Sequence, residues 1–199
     1  TLEDMGTQSD LPSHPELLDH LAWKLMHEYN WSIKSLIKEI LSSHTYRQSS
    51  KISPQLHEKD PENRWYARGP RFRLSAEQVR DQALAVSGLI SDKMYGIGVM
   101  PHQPDGIWQT VYNGEVWKTS EGEDQYRRSV YTFLKRTSPY PSFISFDAGS
   151  REACISKRIV TNTPLQALAT LNDPVYIEAA LKLGEKMSQE TNKDPGTVI

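Results

Sequence analysis

Apolar residues along this chain fall into two kinds of run: some keep the spacing of a helix face, and others keep no period. Leu17, Leu18, Leu21, Leu25 and Met26 lie on one helical face. Ser13 precedes them with Glu16 three positions on, the signature of a capping box, so a helix is expected from about Pro15 to Tyr29. Ser32 then caps a second pattern, Ile33, Leu36, Ile37, Ile40 and Leu41, at i, i+3, i+4, i+7 and i+8. Only Asn30 and Trp31 separate the two, so an αα-hairpin is expected. Residues 49 to 74 carry prolines, a Gly-Pro pair and no sustained period, which reads as a connector.

Ser75 and Gln78 form a second capping box ahead of Ala76, Val79, Ala83, Val86 and Ile90, a third amphipathic helix. From Ser91 to Glu123 the chain is glycine-rich and aperiodic, hence long loops. Tyr126 to Leu134 and Ser142 to Phe146 alternate as short strands do, though the first could equally open as a helix. Thr163-Pro164 and Asp173-Pro174 place proline behind a capping side chain, so helices are expected over 164–171 and 174–189, with the polar tail 190–199 flexible. The expected class is mainly α: five to six helices, long ordered loops and at most a small β element, in a single domain over 1–189.

Composition narrows the function. In 199 residues, 37% hydrophobic and 24% charged, no window offers the ~18 apolar residues of a membrane helix, so membrane insertion is not expected. A net charge of −2 argues against a nucleic-acid partner, whose binding rests on surplus Lys and Arg. Cys154 is the only cysteine, so no intrachain disulfide and no cysteine-based zinc site can form. His14, His20 and His27 stand six and seven residues apart, not at the i, i+4 spacing of two helical metal ligands, so no metal is expected.

Three stretches carry candidate chemistry. RWYARGPRFR, residues 64–73, interleaves arginines with rings, as in a stacking platform or an anion clamp with Arg71 and Arg73. The alternative, favoured by the net charge, is arginines that stack and pair to fix the connector. Residues 104–126 set Trp108, Trp117, Tyr112 and Tyr126 among Asp105, Glu115, Glu121, Glu123 and Asp124. That would suit a carbohydrate, rings covering a sugar face while acids bind hydroxyls, unless the rings seal the core. KRTSPYPSFISFDAGSREACISKR, residues 135–158, gathers Arg136, Tyr140, Asp147, Arg151, Glu152 and Cys154. Cations near Cys154 would activate its thiolate; a buried, inert cysteine in a turn capped by Ser150 is the favoured alternative.

In chain order, SHPELLDHLA, SHTYRQSS, DPENRWYARGPRFRLSAEQVRDQAL, MPHQPDGIW, TSPYPSFISFDAGSREAC and TNTPLQALATLNDP resemble the PSD-type domain of unknown function abundant in planctomycetes and related bacteria. The resemblance runs from about Leu11 to Met187 and makes this chain look like the C-terminal part of a larger domain. It implies a module of a large exported, extracytoplasmic polypeptide beside cytochrome-c-like regions, with neighbouring domains of that polypeptide as partners and polysaccharide as a second candidate. It brings no catalytic residues, and the haem motif C-x-x-C-H is absent here, so no cofactor is expected. A binding or scaffold role is the first expectation. A glycan-acting enzyme with two carboxylates drawn from Asp105, Glu121, Glu123, Asp124, Asp147 and Glu152 is the alternative.

Overall fold

A capping serine or a proline in the first turn starts each described α-helix, because both suit backbone N–H groups that have no intrahelical partner. The computed structural model describes residues 6–106, 116–155 and 157–193. The chain divides into two compact units, Thr1–Phe72 and Arg73–Ile199.

The first unit holds α1 (Pro15–His27), α2 (Ile33–Ser42) and α3 (Pro54–Lys59). Pro15 opens α1, but the expected capping box does not form: the Ser13 hydroxyl lies 3.0 Å from His14 Nδ1 instead. Ser32 does cap α2, accepting from the Ser35 N–H at 3.3 Å. Between them Asn30 and Trp31 both take left-handed φ, 46° and 63°, which reverses the chain into the hairpin. The hairpin is pinned where Glu39 accepts from Lys24 Nζ at 2.6 Å and from the Tyr29 hydroxyl at 2.5 Å.

α3 lies inside the stretch expected to be a plain connector. Ser53 and Pro54 start it, and at six residues it is too short to show a period. The rest of that stretch is tied by polar contacts. Asp60 accepts from the N–H groups of Arg64 and Trp65 at 2.8 and 3.0 Å, and the Gly69 N–H donates to Ser49 at 3.0 Å. A Cβ at Gly69 would sit 2.6 Å from the Gln48 carbonyl oxygen, so only glycine fits that crossing.

The second unit holds α4 (Ala76–Ser87), α5 (Pro141–Ser145), α6 (Pro164–Asn172) and α7 (Pro174–Lys193). The Ser75/Gln78 capping box forms as expected, and Gly88 closes α4 at a left-handed φ of 79°. α4 packs on α5 and α7, and Ala76, Tyr140, Phe143, Phe146 and Tyr176 make the core. Arg80 is buried beside it, its guanidinium donating to the carbonyls of Arg127 and Gln125 at 2.9 and 2.7 Å. Arg127 in turn donates to the carbonyls of Lys93, Tyr95 and Ile97 and lies over the Tyr131 ring. Two buried arginines thus satisfy the loop carbonyls that a sheet would otherwise have paired.

That substitution explains the first of two departures from the sequence pattern. Residues 126–134 form no strand: 3-10 turns at Gly122–Tyr126 and Ser129–Tyr131 replace it, with isolated bridges from Ser91 to Arg127 and from Val99 to Thr132. Residues 142–145 belong to α5 instead, with Phe146 as its C-cap, because Tyr140, Phe143 and Phe146 recur every third residue and all enter the core, leaving Ile144 outside. α7 runs on to Lys193, past the expected end at 189. Helices take 47% of the structure and strand 2%, with no sheet among the described residues, so the class is mainly α. Among the described residues no helix is long and apolar enough to cross a membrane.

Candidate functional site

The residues singled out in 135–158 do not meet. Tyr140 is buried and donates its hydroxyl to the His102 carbonyl at 2.6 Å, and burial pushes its phenol above the ordinary range. Asp147 is a clasp: it takes a left-handed φ of 60°, accepts from the Thr161 N–H and hydroxyl at 2.8 Å each, and pairs with Arg73. The Thr161 N–H foremost, with the Thr161 hydroxyl and Arg73, holds the Asp147 carboxyl below the usual carboxylate range against the opposing effect of burial. Arg136 and Glu152 are exposed, and Arg151 reaches only to 3.7 Å from Glu77. Cys154 is exposed, not buried as expected, because the turn that Ser150 caps by accepting from the Glu152 N–H lies on the surface.

The aromatic and acidic residues of 104–126 disperse too. Trp117 packs on Tyr140 and donates to the Pro101 carbonyl at 2.8 Å, so this ring helps seal the core. Asp105 and Glu121 are exposed, Asp124 pairs with Lys93 at 2.8 Å, and Glu123 lies near the same lysine. Trp108, Tyr112 and Glu115 lie outside the described residues. Arg73 is committed to Asp147 and to the Phe146 and Thr161 carbonyls, whereas Arg71 has no hydrogen bond or ion pair among the described residues, so the two do not form a clamp.

Two concavities stand out among the described residues. The smaller, about 510 Å³ in the second unit, presents Glu77, Asp81, Arg128, Arg151 and Arg158. Its charges are largely spent on each other: Arg158 grips Glu77 with two bonds of 2.6 and 3.0 Å. Burial is the largest single influence and would raise the Glu77 carboxyl, but Arg158 together with the Glu77 backbone N–H and Ser75 keeps the group below its ordinary range.

The larger is a groove of about 1180 Å³ lying entirely within the first unit. α1 supplies Leu17, His20 and Leu21, α2 supplies Glu39 and Ile40, and α3 supplies His57. The 61–71 loop completes it with Glu62, Asn63, Trp65, Tyr66, Arg68 and Arg71. Tyr66 holds φ at 52°, a conformation that costs an aromatic residue ~1–3 kcal/mol. Its ring stacks on His14 at 4.8 Å, and Trp65 meets the same imidazole edge-on at 6.0 Å.

Charge in the groove is divided between committed and open groups. Arg68 donates to the Asp60 and Pro61 carbonyls at 2.8 and 2.7 Å. Glu39 is held below its ordinary range by Lys24 first and Tyr29 second. Arg71, Glu62, His20 and His57 have no hydrogen bond or ion pair among the described residues. Among the described residues no cluster of three His, Cys, Asp or Glu is placed to hold a metal ion.

None of the six carboxylates put forward for glycan chemistry lines either concavity. The groove joins residues far apart in the chain, and its one sequence signal was the interleaving of rings and arginines in 64–73. No curated protein and no solved structure matches the chain. Residues 1–198 match the model of one family, and the chain belongs to it: PSD1, described as a protein of unknown function (DUF1553).

Proposed function

We propose that this chain is a binding and scaffold module of a larger exported polypeptide, docked through the apolar face of its first unit onto a neighbouring domain of that polypeptide. One observation carries the reading: α1 and α2 are amphipathic, yet neither contains a buried residue. Trp31, Ile33, Ile37 and Leu41 stand exposed, the last three at i, i+4 and i+8 on one stripe of α2. A contiguous apolar stripe of this kind marks an interaction surface. The exported, extracytoplasmic setting beside cytochrome-c-like regions rests on the family resemblance of the sequence motifs. A catalytic role has less support, since the described candidate acids are spent in clasps or stand alone on the surface.

Hydroxyl-radical footprinting of the full-length polypeptide tests this directly. Trp31, Ile37 and Leu41 are expected to be protected, with Tyr95 and Ile97, which stand 80% and 87% exposed, as reactive references. Ile37→Asp is expected to restore reactivity along the stripe. Equal reactivity of stripe and references in the wild-type polypeptide would sink the reading.

A further inference from the structure

We infer that the groove of the first unit is a subsite for a neutral oligosaccharide, an inference that rests on the reading of this unit as the binding half of the chain. The rings come first. Trp65 is 70% exposed and Tyr46 54% exposed, and both line the groove, so flat aromatic faces stand open to solvent inside a concavity. Tyr66 beside them is held at a strained backbone angle by its N–H donating to Asn63 at 3.2 Å and its carbonyl accepting from Gln48 at 2.9 Å. Strain kept by surrounding hydrogen bonds points to a presented surface rather than a slack loop. A flat ring of this kind covers the C–H face of a pyranose.

Polar groups then select among ligands. Arg71 and Glu62 are open on the wall with His20 and His57, and each can donate to or accept from a hydroxyl. A lipid chain would strip water from these groups and return no hydrogen bond. Nucleic acid needs several free cations for its phosphates, and Arg71 is the only arginine of the groove left open among the described residues. The formal charges of the lining balance, Arg68 and Arg71 against Glu39 and Glu62, which complements an uncharged ligand rather than an acidic one. At about 1180 Å³ the groove exceeds the range of single small ligands, so an extended chain of sugar rings fits it better than a monosaccharide.

The test is calorimetric titration of the full-length polypeptide with cellohexaose, xylohexaose and mannohexaose, and with oligogalacturonate as the acidic comparator. Binding of at least one neutral chain is expected, weakened at least ~tenfold by Trp65→Ala and less by Glu62→Gln, with the comparator weaker. Trp65 is exposed, so its loss leaves the fold intact, and circular dichroism of the variant verifies this. The inference is overturned if no neutral chain binds at millimolar concentration, if Trp65→Ala leaves binding unchanged, or if oligogalacturonate binds more tightly. It is also overturned if footprinting shows Trp65 and Tyr46 covered by polypeptide in the free protein. The docking proposal survives each of these results, because its readout is the stripe of α2 and not the groove.

Discussion

The two units solve the same problem in opposite ways. The second unit buries its aromatics: Tyr140, Phe143, Phe146 and Tyr176 pack with Ala76, and two buried arginines collect the loop carbonyls around them. In the first unit, Asp60 and Gly69 are the only buried residues among those described, one a carboxylate and the other without a side chain. Its architecture rests on caps, on the Lys24–Glu39–Tyr29 pin and on the Asp60 and Asn63 turn network. Leu21, Leu25, Leu36 and Leu56 are half-buried, but most of its large apolar side chains stay exposed. A unit that keeps its hydrophobic area exposed has that area left for association, which is why function is assigned to the first unit and architecture to the second.

Phe143→Ala is the hardest blow to this contrast. Emptying a core aromatic position is expected to cost the second unit ~4 kcal/mol, read as a lower denaturation midpoint and faster amide exchange across α4 and α7. A loss below ~1 kcal/mol would mean that the aromatic cluster is not what holds the unit.

Asp147→Asn sharpens it, since asparagine tolerates the left-handed φ but gives up the charge on the clasp. A loss of ~2 kcal/mol is expected at pH 7. The wild-type carboxyl titrates below its unfolded value of ~3.9, so its contribution is complete above that pH and fades as pH falls through the lower folded value. The gap between variant and wild type therefore closes on acidification, and a gap unchanged from pH 7 to pH 2.5 would remove the clasp from the account. Ile37→Ala is expected to move intrinsic stability least, within ~0.5 kcal/mol, because the side chain has little burial to lose. A large loss there would show that the first unit does rely on its apolar stripe to fold.

Helix starts were legible because capping is local: Ser32 and Ser75 cap as their neighbours imply, and prolines 164 and 174 open the last two helices. The choice left open between strand and helix at 126–134 and the mistaken strand at 142–146 share a cause. Alternation over a few residues fits either period, and the decision lay with partners distant in the chain: Arg127 serving the 93–97 carbonyls, and Phe143 and Phe146 meeting Ala76 and Tyr176. Cys154 misled for a related reason, since a lone cysteine is usually buried and only the course of its loop put this one outside.

The sequence by itself determined the mainly α class, the hairpin of α1 and α2, most helix starts and the family, all of which rest on local spacing or on motifs read along the chain. Only the tertiary structure decided which acids and arginines are consumed and which stay open. It also decided that His20, His57, Glu62, Trp65 and Arg71 share one groove, and that the apolar face of the first unit goes uncovered. Pairing and exposure depend on contacts between segments tens of residues apart, and no local period encodes them.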